Sequence, residues 1–130
     1  MRMDEATFHT VREIALSLEG VEEAPFFGFP AFKVNGNLLA CPAGHPSADP
    51  NSLIVPVPFD QRDEMLAADP EAYYLKPHYV NHAVIVVRVS HIHRDALKDL
   101  LRMAWQQAIA KPRRKPPARR PLARRPRQRS

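Results

Sequence analysis

The chain has 130 residues, 45% hydrophobic and 25% charged, with one cysteine and a formal net charge of +5 at pH 7. The single Cys41 excludes an internal disulfide, and the longest apolar run, Ala83 to Val87, falls far short of the roughly 20 residues that a membrane span needs. The +5 is a sum of opposites. Ten of the 19 Lys and Arg, and none of the 14 Asp and Glu, lie in Lys111–Ser130, so residues 1–110 hold nine cations against 14 acids, a net of −5.

Residues 1–110 suit one domain, large enough to bury a core without metal or disulfide help. The start, Met1-Arg2-Met3-Asp4-Glu5, continues amphipathic, with no apolar stretch of signal-peptide type. One cysteine fits a reducing compartment. A cytoplasmic protein with no membrane contact is expected.

Asp4 is a good N-cap, and Phe8, Val11, Ile14, Ala15 and Leu18 follow at helical spacing. A helix is expected from about Glu5 to Leu18, ended by Gly20. Val21 to Pro30, with two prolines and three phenylalanines, reads as a loop. Ala31–Val34 reads as a strand, Asn35-Gly36 as a type I′ turn, and Leu38–Cys41 as the returning strand. Pro42–Asn51 is a loop. Ser52–Val57 alternates as a third strand, with Pro56 marking an edge or a strand end.

Asp60 is expected to cap a short helix through Ala67. Tyr73 to Tyr79 is an aromatic connection with room for a short strand, and Val80–Val89 is β-branched and reads as the clearest strand. From Arg94 to Ala110 an apolar stripe of Leu97, Leu100, Leu101, Ala104, Trp105, Ala108 and Ile109 predicts a helix, which Lys111-Pro112 stops. Helix, three strands, helix, one or two strands, helix implies an α+β two-layer sandwich, its sheet largely antiparallel with the helices on one face.

Residues 111–130 cannot supply a core. Five prolines favour extended polyproline II, like charges stretch the segment further, and Leu122 is the one sizeable apolar residue. A disordered arm reaching about 60 Å is expected. Ala118-Arg119-Arg120-Pro121 recurs as Ala123-Arg124-Arg125-Pro126.

Val11-Arg12-Glu13-Ile14-Ala15-Leu16, Gly20-Val21-Glu22-Glu23, Phe27-Gly28-Phe29-Pro30-Ala31-Phe32-Lys33-Val34 and Leu100-Leu101-Arg102-Met103-Ala104-Trp105 together resemble the MmcQ/YjbR family of small bacterial proteins. The resemblance covers about residues 5–110. It implies a small α+β sandwich with an antiparallel sheet, and a DNA-binding role through paired hairpin wings. Where members often carry Trp at the start of the late strand, this chain has Ala83-Val84.

An Arg-rich, acid-free segment binds phosphates by releasing counterions and carries no base-reading geometry. The expected partner is therefore DNA, held without sequence preference by Arg113, Arg114, Lys115, Arg119, Arg120, Arg124, Arg125, Arg127 and Arg129. Lys33, Lys76 and Arg88 are the candidate phosphate contacts on the body, whose net negative charge argues against a broad grip on a duplex.

No catalysis and no cofactor are expected. The histidines (His9, His45, His78, His82, His91, His93) lack a metal-site spacing, Glu22-Glu23 reads as structural with an Arg12 ion pair as one role, and Cys41 reads as a small buried hydrophobe. Four scattered glycines make no phosphate loop. An alternative role is a small-molecule or protein-binding module using the aromatic loops around Phe27, Phe29, Tyr74 and Tyr79.

Overall fold

The computed structural model describes residues 3–112. The expected disordered arm falls, from Arg113 onward, outside the described residues.

Helix α1 spans Glu5–Leu16, and the Asp4 carboxylate accepts from the Thr7 amide at 2.7 Å. Such a cap satisfies one of the four amides a helix start leaves open. The helix stops two residues before the expected end. Ser17 caps it instead, its hydroxyl donating to the Ile14 carbonyl at 2.6 Å.

Strands β1 (Glu22–Phe26), β2 (Phe29–Val34), β3 (Asn37–Pro42), β4 (Ser52–Pro56), β5 (Tyr73–Tyr74) and β6 (Val84–Arg88) form one sheet in the order β1-β2-β3-β4-β6-β5. Every neighbouring pair is antiparallel. Strand β1 replaces the expected loop. It lies at the sheet edge, where Pro25 removes no ladder bond that a neighbour needs. The late strand is shorter than its β-branched run suggests, because Pro77–Tyr79 forms a 3₁₀ turn before it. Strand β4 is central, and Pro56 stands at its end.

Both hairpin turns are two-residue type I′. Asn35 and Gly36 have φ of 54° and 73°, and Phe27 and Gly28 have 51° and 83°. The first is the ordinary Asn-Gly chemistry. The second puts a bulky aromatic where L-residues rarely sit. A Cβ on Gly28 meets nothing within 4 Å. Gly28→Ala should therefore cost only the left-handed conformational penalty, about 1–2 kcal/mol; a shift of the urea midpoint at constant slope measures it.

Helices α2 (Phe59–Ala68) and α3 (Arg94–Ala110) join α1 on one face of the sheet. Asp60 is not the cap of α2. Pro58 holds that position without a side-chain bond, and Asp60 lies in the first turn. The core under the helices is built from Phe8, Val11 and Ile14 of α1, Leu97, Leu100 and Leu101 of α3, and Phe32, Leu39, Leu53, Val55, Ile85 and Val87 of the sheet. Burying each such side chain contributes about 1.5–3 kcal/mol.

The alternate residues of the same strands face the other way. Ala31, Cys41, Ile54, Tyr74 and Val86 form a second, smaller cluster with Ala43, Ala48 and Tyr79. No α-helix among the described residues lies on this face; the connections 43–51 and 75–83, the latter with its 3₁₀ turn, cover part of it. Two tyrosine hydroxyls hold the first connection in place. That of Tyr74 accepts from the Asp49 amide at 2.8 Å and bonds Ser52 Oγ at 2.6 Å, and that of Tyr79 accepts from the His45 amide at 3.3 Å.

Candidate functional site

The helix-free face carries a half-open cavity of about 570 Å³. Its floor is sheet: Leu38, Cys41, Ile54 and Val84. One wall is the β1–β2 hairpin with Phe26, Phe27 and Phe29; the other is His45 and Pro46 from one connection and His78, Tyr79 and His82 from the other. Of the four aromatics expected to frame a binding site, Phe27, Phe29 and Tyr79 line it, while Tyr74 sits behind the wall and anchors it.

Phe27 is 87% exposed and packs edge-on against Phe26, ring centroids 4.6 Å apart. An exposed aromatic in a left-handed turn is disfavoured twice, by solvation and by backbone sterics. Gly44 explains how Phe29 reaches the cavity wall. A Cβ at Gly44 would stand 2.7 Å from the Phe29 ring, so a larger residue there would push the ring aside.

His45 and His78 stack face to face at 3.8 Å, with 20° between the rings. The Nδ1 of His45 accepts from the Ser47 amide at 3.1 Å and bonds Ser47 Oγ at 2.8 Å. These bonds occupy Nδ1 and fix the orientation of the ring beside His78. Burial pushes the Cys41 thiol up to about 11, which keeps it protonated near neutrality. Among the described residues no three His, Cys, Asp or Glu are grouped to hold a metal ion. His91 pairs with its neighbour Ser90, and His9 with Glu13 one turn on.

The three body cations do not converge. Lys33 lies on β2 with its Nζ 5.4 Å over the Phe26 ring, and Lys76 is half-buried just before the 3₁₀ turn. Arg88 is engaged within the fold. Its guanidinium sits 4.0 Å over the Tyr74 ring, donates to Asp49 at 2.9 Å and donates to the Glu71 carbonyl at 2.8 Å. Three strand spacings, about 14 Å, separate β2 from β6 across the sheet. Arg113, Arg114, Lys115, Arg119, Arg120, Arg124, Arg125, Arg127 and Arg129 lie outside the described residues.

The point where the cationic segment leaves the body is described. The Asn37 side chain donates to the carbonyls of Ala108 and Pro112, at 3.1 and 3.3 Å. The segment thus departs beside the β2–β3 turn, at the opposite end of β2 from Phe27.

Glu23 has the structural role expected of it. Arg12 Nε and Nη2 donate to its two carboxylate oxygens at 2.8 and 3.2 Å, tying α1 to the edge strand. These bonds hold the Glu23 carboxyl below the usual range. A lowered folded-state pKa stabilises the fold above the ordinary glutamate value, and that stability drains away as pH falls through the folded value. The wild type should therefore exceed Glu23→Gln in urea midpoint near neutral pH. The gap should close on acidification below the ordinary glutamate range; a gap constant with pH contradicts it.

Residue order alone missed three features of this site. The His45–His78 stack joins positions 33 apart in sequence, the close approach of Gly44 to Phe29 depends on tertiary packing, and the Phe27 turn uses a residue type that argues against a turn. The available signal was Gly28, set between aromatics and followed by Pro30.

Comparison with known proteins agrees with the resemblance in residues 5–110. No curated protein matches the chain. The crystal structure of a Deinococcus radiodurans protein described by its DUF419 domain is similar in fold, with a TM-score of 0.62 and 22% identity over 78% of this chain and 77% of that one. The YjbR family profile matches residues 16–107, which is most of the folded body, and the chain belongs to the YjbR family.

Proposed function

We propose that this YjbR protein is a noncatalytic, cytoplasmic DNA-associating protein that holds duplexes through residues 111–130, with the folded body as a carrier. The observation behind this reading is the charge division: ten cations without an acid in twenty residues, against a body of net −5. Guanidinium groups in an extended segment can each meet a phosphate, and the released counterions supply the affinity. Base preference is not expected, since phosphate contacts carry no sequence information.

The dispersal of Lys33, Lys76 and Arg88 supports a passive body, because Arg88 is committed to Asp49 and Tyr74. The test is fluorescence anisotropy with two unrelated labelled 20-mer duplexes. The full chain should bind both within a factor of about three, and residues 1–112 should bind neither measurably at the same salt. Undiminished binding by 1–112 would overturn the assignment to the arm.

A second reading, a binding role for the body itself, is favoured by the cavity between the β1–β2 hairpin and the His45–His78 stack.

A further inference from the structure

We infer that the cavity on the helix-free face is a site for a small, uncharged, planar aromatic molecule, entering past Phe27 and lying between the phenylalanine wall and the histidine wall. The inference rests on the second reading above and is independent of the cationic segment.

Charge is the first argument. No Lys, Arg, Asp or Glu lines the cavity among the described residues. Lys33 rests over Phe26 and is not part of the lining, and Nδ1 of His45 is occupied by the Ser47 amide. The thiol at the floor is protonated. An ionised carboxylate or phosphate entering this space would lose hydration with no Lys or Arg in the lining to replace it. A neutral ring system loses little and gains the apolar burial.

Shape is the second argument. The volume falls within the roughly 300–1,000 Å³ typical of small-molecule sites. Aromatic rings supply one wall, and a stacked imidazole pair the other. Aromatic pairs prefer offset or edge-on contact at centroid distances of about 4.5–7 Å, so a flat guest meets rings on both sides. The imidazoles of His78 and His82 in the lining suit a hydroxyl, carbonyl or ring nitrogen on that guest.

The third argument is the mouth. Phe27 keeps a left-handed backbone and near-complete exposure, and a guest ring would cover the exposed side chain. Residues 111–130 are a poor occupant. They bring ten cations and one sizeable apolar side chain, Leu122, to a space with no acid.

The test uses the full chain and two fluorescent probes of nearly equal size, neutral N-phenyl-1-naphthylamine and anionic 8-anilinonaphthalene-1-sulfonate. Binding is read at the Gly44 and Phe29 amides by NMR, so that dye held on the cationic segment does not register. The neutral probe should saturate one site and shift both amides, and the anionic probe should bind there at least ten-fold more weakly. Val84→Trp, which fills the floor, should abolish the shifts. Phe27→Gly, which relieves the turn and leaves folding intact, should weaken the neutral probe about three- to ten-fold.

Absence of saturable shifts with either probe would overturn both the ligand class and the binding role of the body. Equal binding of the two probes at these amides would overturn the uncharged class alone. Undiminished binding in a folded Val84→Trp, or displacement of the probe by single-stranded oligothymidylate, would also overturn the inference, the latter in favour of a base-stacking site.

Discussion

In duplex titrations from 50 to 200 mM salt, the affinity of the full chain should fall by about a thousand- to a hundred-thousand-fold. Each phosphate neutralised contributes about −0.9 to the slope of log K against log salt, so ten engaged cations set a limit of about −9. Replacing the nine cations from Arg113 to Arg129 with Gln keeps the length of the segment and should bring the slope close to zero. Replacing only Arg119, Arg120, Arg124 and Arg125 should reduce its magnitude by about 3.6. A slope that ignores these changes would place the phosphate contacts elsewhere, with Lys33 and Lys76 the next to test.

Arg62→Ala should cost the fold about 2–4 kcal/mol and lower the melting temperature by roughly 10 °C or more. Arg62 is 8% exposed, its guanidinium lies 4.6 Å from the Phe59 ring centroid, and its Nη1 donates to the carbonyls of Val80 and His82 at 3.0 and 2.8 Å. Hydrogen bonds to a charged group contribute about 1.5–3 kcal/mol; removing the donor takes the Arg62 bond from the Val80 carbonyl, while that of His82 keeps the Val84 amide at 2.8 Å. The same segment carries His78, Tyr79 and His82 to the cavity, so the destabilised wall should also loosen the site. Arg62→Met restores packing but no donor, and should fall between wild type and alanine. Denaturant unfolding at constant slope measures all three; a loss below about 0.5 kcal/mol for alanine would mean that the Arg62 bonds carry little of the stability.

The parts of the fold legible in the sequence were those with local causes. The bounds of α3 follow from an apolar stripe closed by Lys111-Pro112, and the β2–β3 turn follows from Asn35-Gly36, because both residues tolerate positive φ. Strand β1 was not legible, since Pro25 and an exposed pattern suppress the strand signal at an edge that needs only one partner. The late strand was overextended because Val80 resembles its β-branched neighbours, yet its carbonyl is held by Arg62, eighteen residues earlier. The aromatic segments were legible as a binding candidate, but their convergence was not. It depends on the β1–β2 turn and on the two tyrosine hydroxyls that fix the 43–51 connection. The tie from Trp105 Nε1 to the Glu19 carbonyl at 2.8 Å likewise joins distant positions that no periodicity links.

The division of labour between arm and body is tested most directly with a synthetic peptide of residues 111–130. At 150 mM salt the Debye length is about 8 Å, so the acidic body should perturb the arm only weakly. The peptide and the full chain should then bind the same duplex within about ten-fold and with the same salt slope. A full chain that binds a hundred-fold more weakly than its own peptide would show the arm neutralised by the body, and one that binds a hundred-fold more tightly would show the body gripping DNA; either contradicts a passive carrier.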